Sequence, residues 1–220
     1  MIEIQDSVDV LVVGGGTAGT VAAIQAARAG ATTAVIEMRG LLGGTMTWGG
    51  VKQPGYFHAW GRQVVAGIGW ELVAATLELD GRAMPDFGNP PVGRPSHYVQ
   101  INAALSPVVA EEAACAVGVR LHYHETVVEV QPAPEGWVVT SIGKGIRRTT
   151  TCRELIDCSG DADVVGMLGF EREEGEVRQP GTLEFMLSGY DAKALDPAAV
   201  QRRYEAACAD GRLKAGDFAG

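Results

Sequence analysis

Residues 8–19, VDVLVVGGGTAG, constrain this chain more than any other stretch. An apolar run leads without a break into glycines at 14, 16 and 19, and these lead into an alanine-rich segment. The pattern predicts a strand over 9–13, a tight turn, and a helix over 18–29 that Gly30 is placed to end. A short β-branched run over 32–37 follows as a second strand and closes on an acid, Glu37. Such a β-α-β unit is right-handed and sets its two strands in parallel. The G-x-G-x-x-G spacing gives each glycine a separate job. Gly14 lets the chain turn sharply off the strand, Gly16 removes the side chain that would obstruct a pyrophosphate, and Gly19 lets the helix lie close to the strand. The backbone N–H groups of the turn and the first helical residues, Thr17 and Ala18, then face the phosphates at the positive helix end. Glu37 can accept hydrogen bonds from a ribose 2′-hydroxyl. This combination points to a bound dinucleotide.

Bulk properties narrow the partners. Apolar residues make up 46% of the 220 and charged residues 20%, which suits a globular protein with a real core. A net charge of −9 argues against nucleic acid or an anionic membrane as partner, because phosphate affinity needs a basic face. The first residues are acidic and lack the basic start and apolar centre of a signal peptide. No apolar run approaches the roughly 20 residues that span a bilayer. Cys115, Cys152, Cys158 and Cys208 show no C-x-x-C spacing, so the expectation is reduced thiols in a cytoplasmic protein.

Beyond the first unit, residues 39–50 form a second glycine-rich block, and a helix is predicted over 62–79. Residues 80–95 carry too much proline and glycine for a regular element. A further helix is predicted over 99–117, interrupted or restarted at Pro107, followed by a strand over 119–123. Residues 127–131, 137–142 and 146–152 alternate apolar and polar and are separated by turn sequences, which predicts an antiparallel meander. Residues 154–158 read as a strand returning to the parallel sheet, ending in Ser159-Gly160-Asp161-Ala162-Asp163. The tail predicts a strand over 182–187 and a helix over 197–209. The fold class is therefore α/β, a Rossmann-like domain over 1–175 with a parallel sheet. It carries a loop and helical insertion at 45–100 and the meander at 127–152, and residues 176–220 begin a substrate or cap lobe.

A nucleotide loop alone does not separate NAD from FAD, but three later features do. Leu42-Gly43-Gly44-Thr45 gives a second backbone stretch that can reach a pyrophosphate. Glu125-Thr126-Val127-Val128-Glu129-Val130 gives a strand whose main chain can pair with an adenine edge, Val127 foremost. Gly160-Asp161 gives a turn whose acid can bond ribityl hydroxyls. Together these residues resemble the FAD-dependent oxidoreductases of the glutathione-reductase type of fold, in the succinate dehydrogenase-like and thiazole synthase-like branch, over residues 7–187. The resemblance implies FAD held extended, with adenine near Val127, ribose on Glu37 and pyrophosphate over residues 14–18 and 43–45. The flavin would lie beyond Gly160 and Asp161. The cofactor-binding set is then Gly14, Gly16, Thr17, Ala18, Gly19, Glu37, Met38, Gly43, Gly44, Thr45, Val127, Gly160 and Asp161. The chain departs from disulfide reductases, since Met46 and Trp48 stand where their cysteines follow the Gly-Gly-Thr motif. Relatives of this branch usually run to twice this length, so the chain is expected to be a fragment or to need a partner chain.

A flavin carries the redox chemistry itself, so no catalytic triad need be visible. His58 could face the flavin as a proton donor or acceptor, against the plainer reading of a packing histidine. Arg62 could bind a substrate carboxylate or simply start a helix. His122 and His124 lack the further ligands a metal site requires, so no metal is expected. Trp48, Trp60 and Trp70 read as core anchors before cavity walls, and the acids of 171–176 as a solvated loop. The expected function is hydride transfer between a small organic substrate and flavin N5. The alternatives are a non-catalytic FAD-binding subunit, and an NAD-binding dehydrogenase. A homo-oligomer or a partner chain could complete the flavin site.

Overall fold

Strand β1 spans Ile2–Val13 and feeds helix α1, Thr17–Arg28, which returns the chain to β2, Thr33–Glu37. The computed structural model describes residues 1–89, 99–176 and 188–214, together with Gly181 and Gly216. A small hairpin follows, β3 at His58–Ala59 and β4 at Arg62–Gln63, then helices α2, Ile68–Leu79, and α3, Ser106–Ala116. Strands β5, Arg120–Tyr123, β6, Glu125–Ala133, β7, Gly136–Gly143, and β8, Ile146–Asp157, complete the sheet. A short helix α4, Asp163–Met167, comes next. Two compact units result, Met1–Glu184 and Phe185–Gly220. In the second, helix α5 at Pro197–Ala209 is capped by the Asp196 carboxylate, which accepts the Ala198 N–H at 2.9 Å.

The sheet order is β5-β2-β1-β8-β7-β6. The first four strands are parallel to one another, while β7 runs antiparallel to both β8 and β6. Side-chain alternation divides the core between the two faces. Val12 and Val35 pack with Ala23, Ile24, Ala110 and Ala114 on the helical face. Leu11, Val13, Ala34 and Ile36 pack with Val127, Val130 and Val139 of the meander. The small residues of α1, with Gly19, Thr20 and Ala23 buried, allow the helix to lie close to the sheet. Truncating a fully buried side chain such as Leu11 or Ile24 to alanine costs about 2–5 kcal/mol.

Several boundaries differ from the sequence expectation for identifiable reasons. β1 begins at Ile2 rather than 9, because it pairs with β8 from Ile2↔Ile146 through Val13↔Asp157. The same ladder joins the predicted strands 146–152 and 154–158 into one, since no turn residue divides them. The predicted helix 62–79 begins at Ile68: Arg62 and Gln63 pair back on Ala59 and His58, and Gly67 at φ +85° precludes a helix through it. Helix α3 starts at Ser106 with Pro107 in its first turn, where its missing N–H costs nothing. Among the described residues no helix is long and apolar enough to cross a membrane. The strand expected over 182–187 and part of the loop at 80–95 lie outside the described residues.

Candidate functional site

β2 and β8 flank β1 on opposite sides, so the chain leaves the carboxyl end of β1 at a switch point, where open α/β sheets carry their ligands. A cleft of about 480 Å³ opens there. Its walls are the ends of three strands and the loops that follow: Val13, Gly14, Gly16, Thr17 and Ala18 after β1, Ile36 to Arg39 after β2, and Cys158, Ser159 and Gly160 after β8. Gly44, Thr45 and Trp48 come from the second glycine block, and Glu125, Thr126 and Val127 from the edge strand β6. The four separated motifs thus meet in one cavity. Gly19, Gly43 and Asp161 stand behind or beside this wall rather than in it.

The glycines do different work. At Gly14, with φ +96°, a Cβ would lie 2.2 Å from the Cys158 carbonyl oxygen, and at Gly19 it would lie 1.8 Å from that of Gly14. Both are therefore demanded by the packing of the protein itself. Gly16 is not. Its φ of −64° and ψ of −174° suit any residue, and a Cβ there would meet nothing nearer than the Gly44 Cα at 4.0 Å. Gly16 lines the cleft, where the absence of a side chain lets a ligand approach the backbone closely. Gly43 docks the second glycine loop on the first: its N–H donates to the Gly15 carbonyl at 2.9 Å and its carbonyl accepts from the Thr17 hydroxyl at 3.4 Å. Gly44, at φ +54°, brings its backbone against Gly16.

Glu37 is 7% exposed and braces the loop: one carboxylate oxygen accepts the Gly15 N–H at 2.7 Å and the other the Arg39 N–H at 2.6 Å. Each oxygen keeps further acceptor capacity toward the cleft. Arg39, which the motif reading did not mark, stacks at the mouth on Trp48, its guanidinium carbon 5.0 Å from the indole centroid; Trp48, read from sequence first as a core anchor, is 60% exposed and lines the cleft instead. Their closeness in sequence to Glu37 and Gly44 was the available signal. Glu125, at the start of β6, is buried in the cleft wall. Burial would raise its pKa, but hydrogen bonds from Arg148 and Ser141 outweigh that and hold it below the ordinary carboxylate range. Asp157 behaves likewise: burial is outweighed by bonds from Ser159 and Val165. Burial pushes the Cys158 thiol up, so it stands in the cleft as a neutral group rather than a thiolate nucleophile.

His58 and Arg62 are not among the lining residues. His58 stacks on Phe87 with ring centroids 4.7 Å apart, beside a satellite core of Phe57, Val73, Leu77, Val99 and Ile101. Arg62 is exposed on β4 rather than at a helix start. Trp70 anchors the same satellite core, whereas Trp60 is 87% exposed. No group of three or more metal-ligating side chains occurs among the described residues.

The family model described as FAD dependent oxidoreductase matches residues 9–218. The chain belongs to that family. Its cofactor is FAD, and the residues of the cleft fit it: a backbone cradle open at Gly16, a second glycine loop docked beside it, and an anchored acid at the end of β2. No curated protein matches the chain. Among solved structures it is similar to CabE, an aromatic hydroxylase from angucycline biosynthesis, with 23% identity and a TM-score of 0.52 over 74% of this chain and 33% of that one. The anhydrotetracycline hydroxylase OxyS from Streptomyces rimosus matches with 17% identity and a TM-score of 0.50, over 74% of this chain and 34% of that one. THI4 from Thermovibrio ammonificans matches with 23% identity and a TM-score of 0.48, over 74% and 61%. The chain spans about a third of the length of the two hydroxylases. At these identities the likeness bears on fold.

Proposed function

We propose that this chain is the cofactor domain of an FAD-dependent oxidoreductase acting on a small organic substrate, with FAD extended along the cleft. Adenine rests against Val127, ribose on Glu37, and pyrophosphate over residues 14–18 and 43–45, with Met38 beside the adenosine and the flavin beyond Gly160 and Asp161. The observation that carries this reading is Gly16, a glycine that neither its backbone angles nor its protein neighbours require, set in the wall of the cleft. When bound, FAD supplies the redox chemistry, exchange of a hydride with the substrate at flavin N5.

The chain's own residues bind and orient. The N–H groups at the start of α1 and the positive end of that helix face the phosphate position. Glu37, fixed by two backbone bonds, accepts from ribose hydroxyls and sets the register of the dinucleotide. Because His58 is engaged with Phe87 and Arg62 lies on β4, outside the cleft lining, His58 is assigned no proton transfer and Arg62 no substrate carboxylate. We take residues 1–175 as the FAD domain and 176–220 as the beginning of a substrate or cap lobe, with a further segment or a second copy covering the flavin. The free cysteines support a reducing, cytoplasmic setting. The test is an absorption spectrum of the purified protein and mass identification of what denaturation releases. A yellow protein releasing FAD is expected. A colourless protein that takes up no FAD on reconstitution overturns the reading.

A further inference from the structure

The turn after β8 contributes Ser159, Gly160 and Asp163 to the cleft, yet its backbone is not self-supporting. Gly160 has φ +96° and Ala162, two residues on, has φ +55°. A non-glycine residue in the left-handed region persists where its surroundings over-determine it. Here the determining group is the Asp157 carboxylate at the end of β8. One oxygen accepts the Ser159 N–H at 3.0 Å and the Ser159 hydroxyl at 2.6 Å, and the other accepts the Val165 N–H at 3.0 Å. The Ser159 hydroxyl oxygen in turn accepts the Asp163 N–H at 2.8 Å. A single carboxylate, itself outside the cleft wall, thus ties both sides of the turn to the sheet. From the far side the Arg172 guanidinium donates to the Asp161 carbonyl at 3.2 Å and lies where a Cβ on Gly166 would be 2.7 Å from it. That arginine belongs to the acidic stretch that reads from sequence as solvated loop.

We propose that Asp157, acting through Ser159, is the positioning residue that holds the Gly160–Asp161 turn in the shape that receives the flavin half of FAD. It does so without touching the cofactor. The inference rests on the placement of FAD given above. Asparagine at 157 keeps one acceptor oxygen but turns an NH₂ toward another N–H donor, so one side of the turn is released.

Titration of the full apo-protein with FAD, followed by flavin fluorescence, gives a dissociation constant for the wild type and for D157N, S159A and S159T. Melting of each apo-protein is recorded alongside. The expected result is FAD bound about 10- to 100-fold more weakly by D157N, the loss typical of a hydrogen bond to a charged group. S159A is expected to bind roughly 10-fold more weakly, and S159T, which keeps the hydroxyl, within about 3-fold of wild type. A merely structural role would lower the apo melting temperature and leave the dissociation constant of the folded protein unchanged, which overturns the proposal. If D157N does not fold, the serine pair decides, and equal affinity of S159A and wild type refutes it. A wild type that itself binds no FAD removes the underlying placement and this proposal with it, whereas a binding wild type with indifferent variants removes the proposal alone.

Discussion

Substituting Gly16 by alanine separates a glycine kept for the ligand from glycines kept for the fold. In the apo-protein the new methyl group has room, since its nearest neighbour is the Gly44 Cα at 4.0 Å, and φ of −64° needs no adjustment. Alanine restricts the unfolded chain and stabilises by about 0.4–1 kcal/mol. Gly16 is also the N-cap of α1, where alanine is worse than glycine by a comparable amount, about 0.5–1 kcal/mol. The two nearly cancel. For a unit of this size about 1 kcal/mol moves the melting temperature by about 2–4 °C, so G16A should melt within about 4 °C of wild type. FAD binding should fall steeply, because the methyl group stands where the pyrophosphate approaches the turn. Losing two charge-assisted bonds of about 1.5 kcal/mol each corresponds to a roughly 100-fold weaker complex. G19A is the contrast: its Cβ would sit 1.8 Å from the Gly14 carbonyl oxygen, an overlap that costs about 3 kcal/mol or more and lowers melting by about 6–12 °C. Circular-dichroism melts of the apo-proteins and fluorescence titrations with FAD measure both quantities. A G16A variant that binds FAD like wild type, or that melts as low as G19A, would refute the reasoning.

Glu37→Gln turns one oxygen that accepts a backbone N–H into an NH₂ donor facing it, and should cost about 1–3 kcal/mol along with weaker FAD binding, read by the same two assays. Cys158 lines the cleft with its pKa raised by burial, so maleimide should label it in the apo-protein more slowly than exposed Cys115, and saturating FAD should slow labelling of Cys158 further while leaving Cys115 unchanged; peptide mapping that finds Cys158 labelled at the same rate with and without FAD would contradict the placement. Cys152, buried with its pKa pushed up to about 11 by desolvation, should stay unlabelled at pH 8 until the protein unfolds. His122 is held below its ordinary 6.5 first by burial and then by the Arg148 cation, against the weaker pull of Glu125 and Asp6. Its folded state therefore binds fewer protons than the unfolded state near pH 6. The stability it confers is full above about pH 6.5 and is lost as pH falls through the depressed folded value. Melting followed between pH 8 and 5 should show this decline, and H122N should flatten it.

How much of the molecule was legible in the sequence depended on whether a residue's reason was local. The turn at 14–19 was, because strand, glycine spacing and helix are contiguous, and Gly30 does end α1 with φ +94°. The four stretches named as cofactor contacts do converge on one cleft, although most of the chain separates the first from the last. The length of β1 was not legible. Glu3 and Asp6 make its first half look like a polar leader, and what holds it in a strand is the partner ladder of β8. Asp6 is then recruited by Arg120 at 2.6 Å and lies 3.4 Å from His122, so a residue that reads as solvent-facing belongs to a half-buried charge cluster. For His58 the sequence left two readings open. Its position after the second glycine loop suggested the flavin, but the ring's environment is set by Phe87, far along the chain.

The glycines show the same division inside a single motif. From sequence, Gly14, Gly16 and Gly19 carry equal weight, and a pattern match cannot rank them. Placing a Cβ on each does: two collide with the protein's own carbonyls, and the third, in a glycine that lines the cleft, meets nothing nearer than 4.0 Å. A fold that needed no ligand would select the first and last of these glycines but would be indifferent to the middle one. On the proposed placement of FAD, the three-glycine spacing is two statements about folding and one about binding. In this chain the binding statement rests on Gly16, where the cleft, the helix end and the second glycine loop meet.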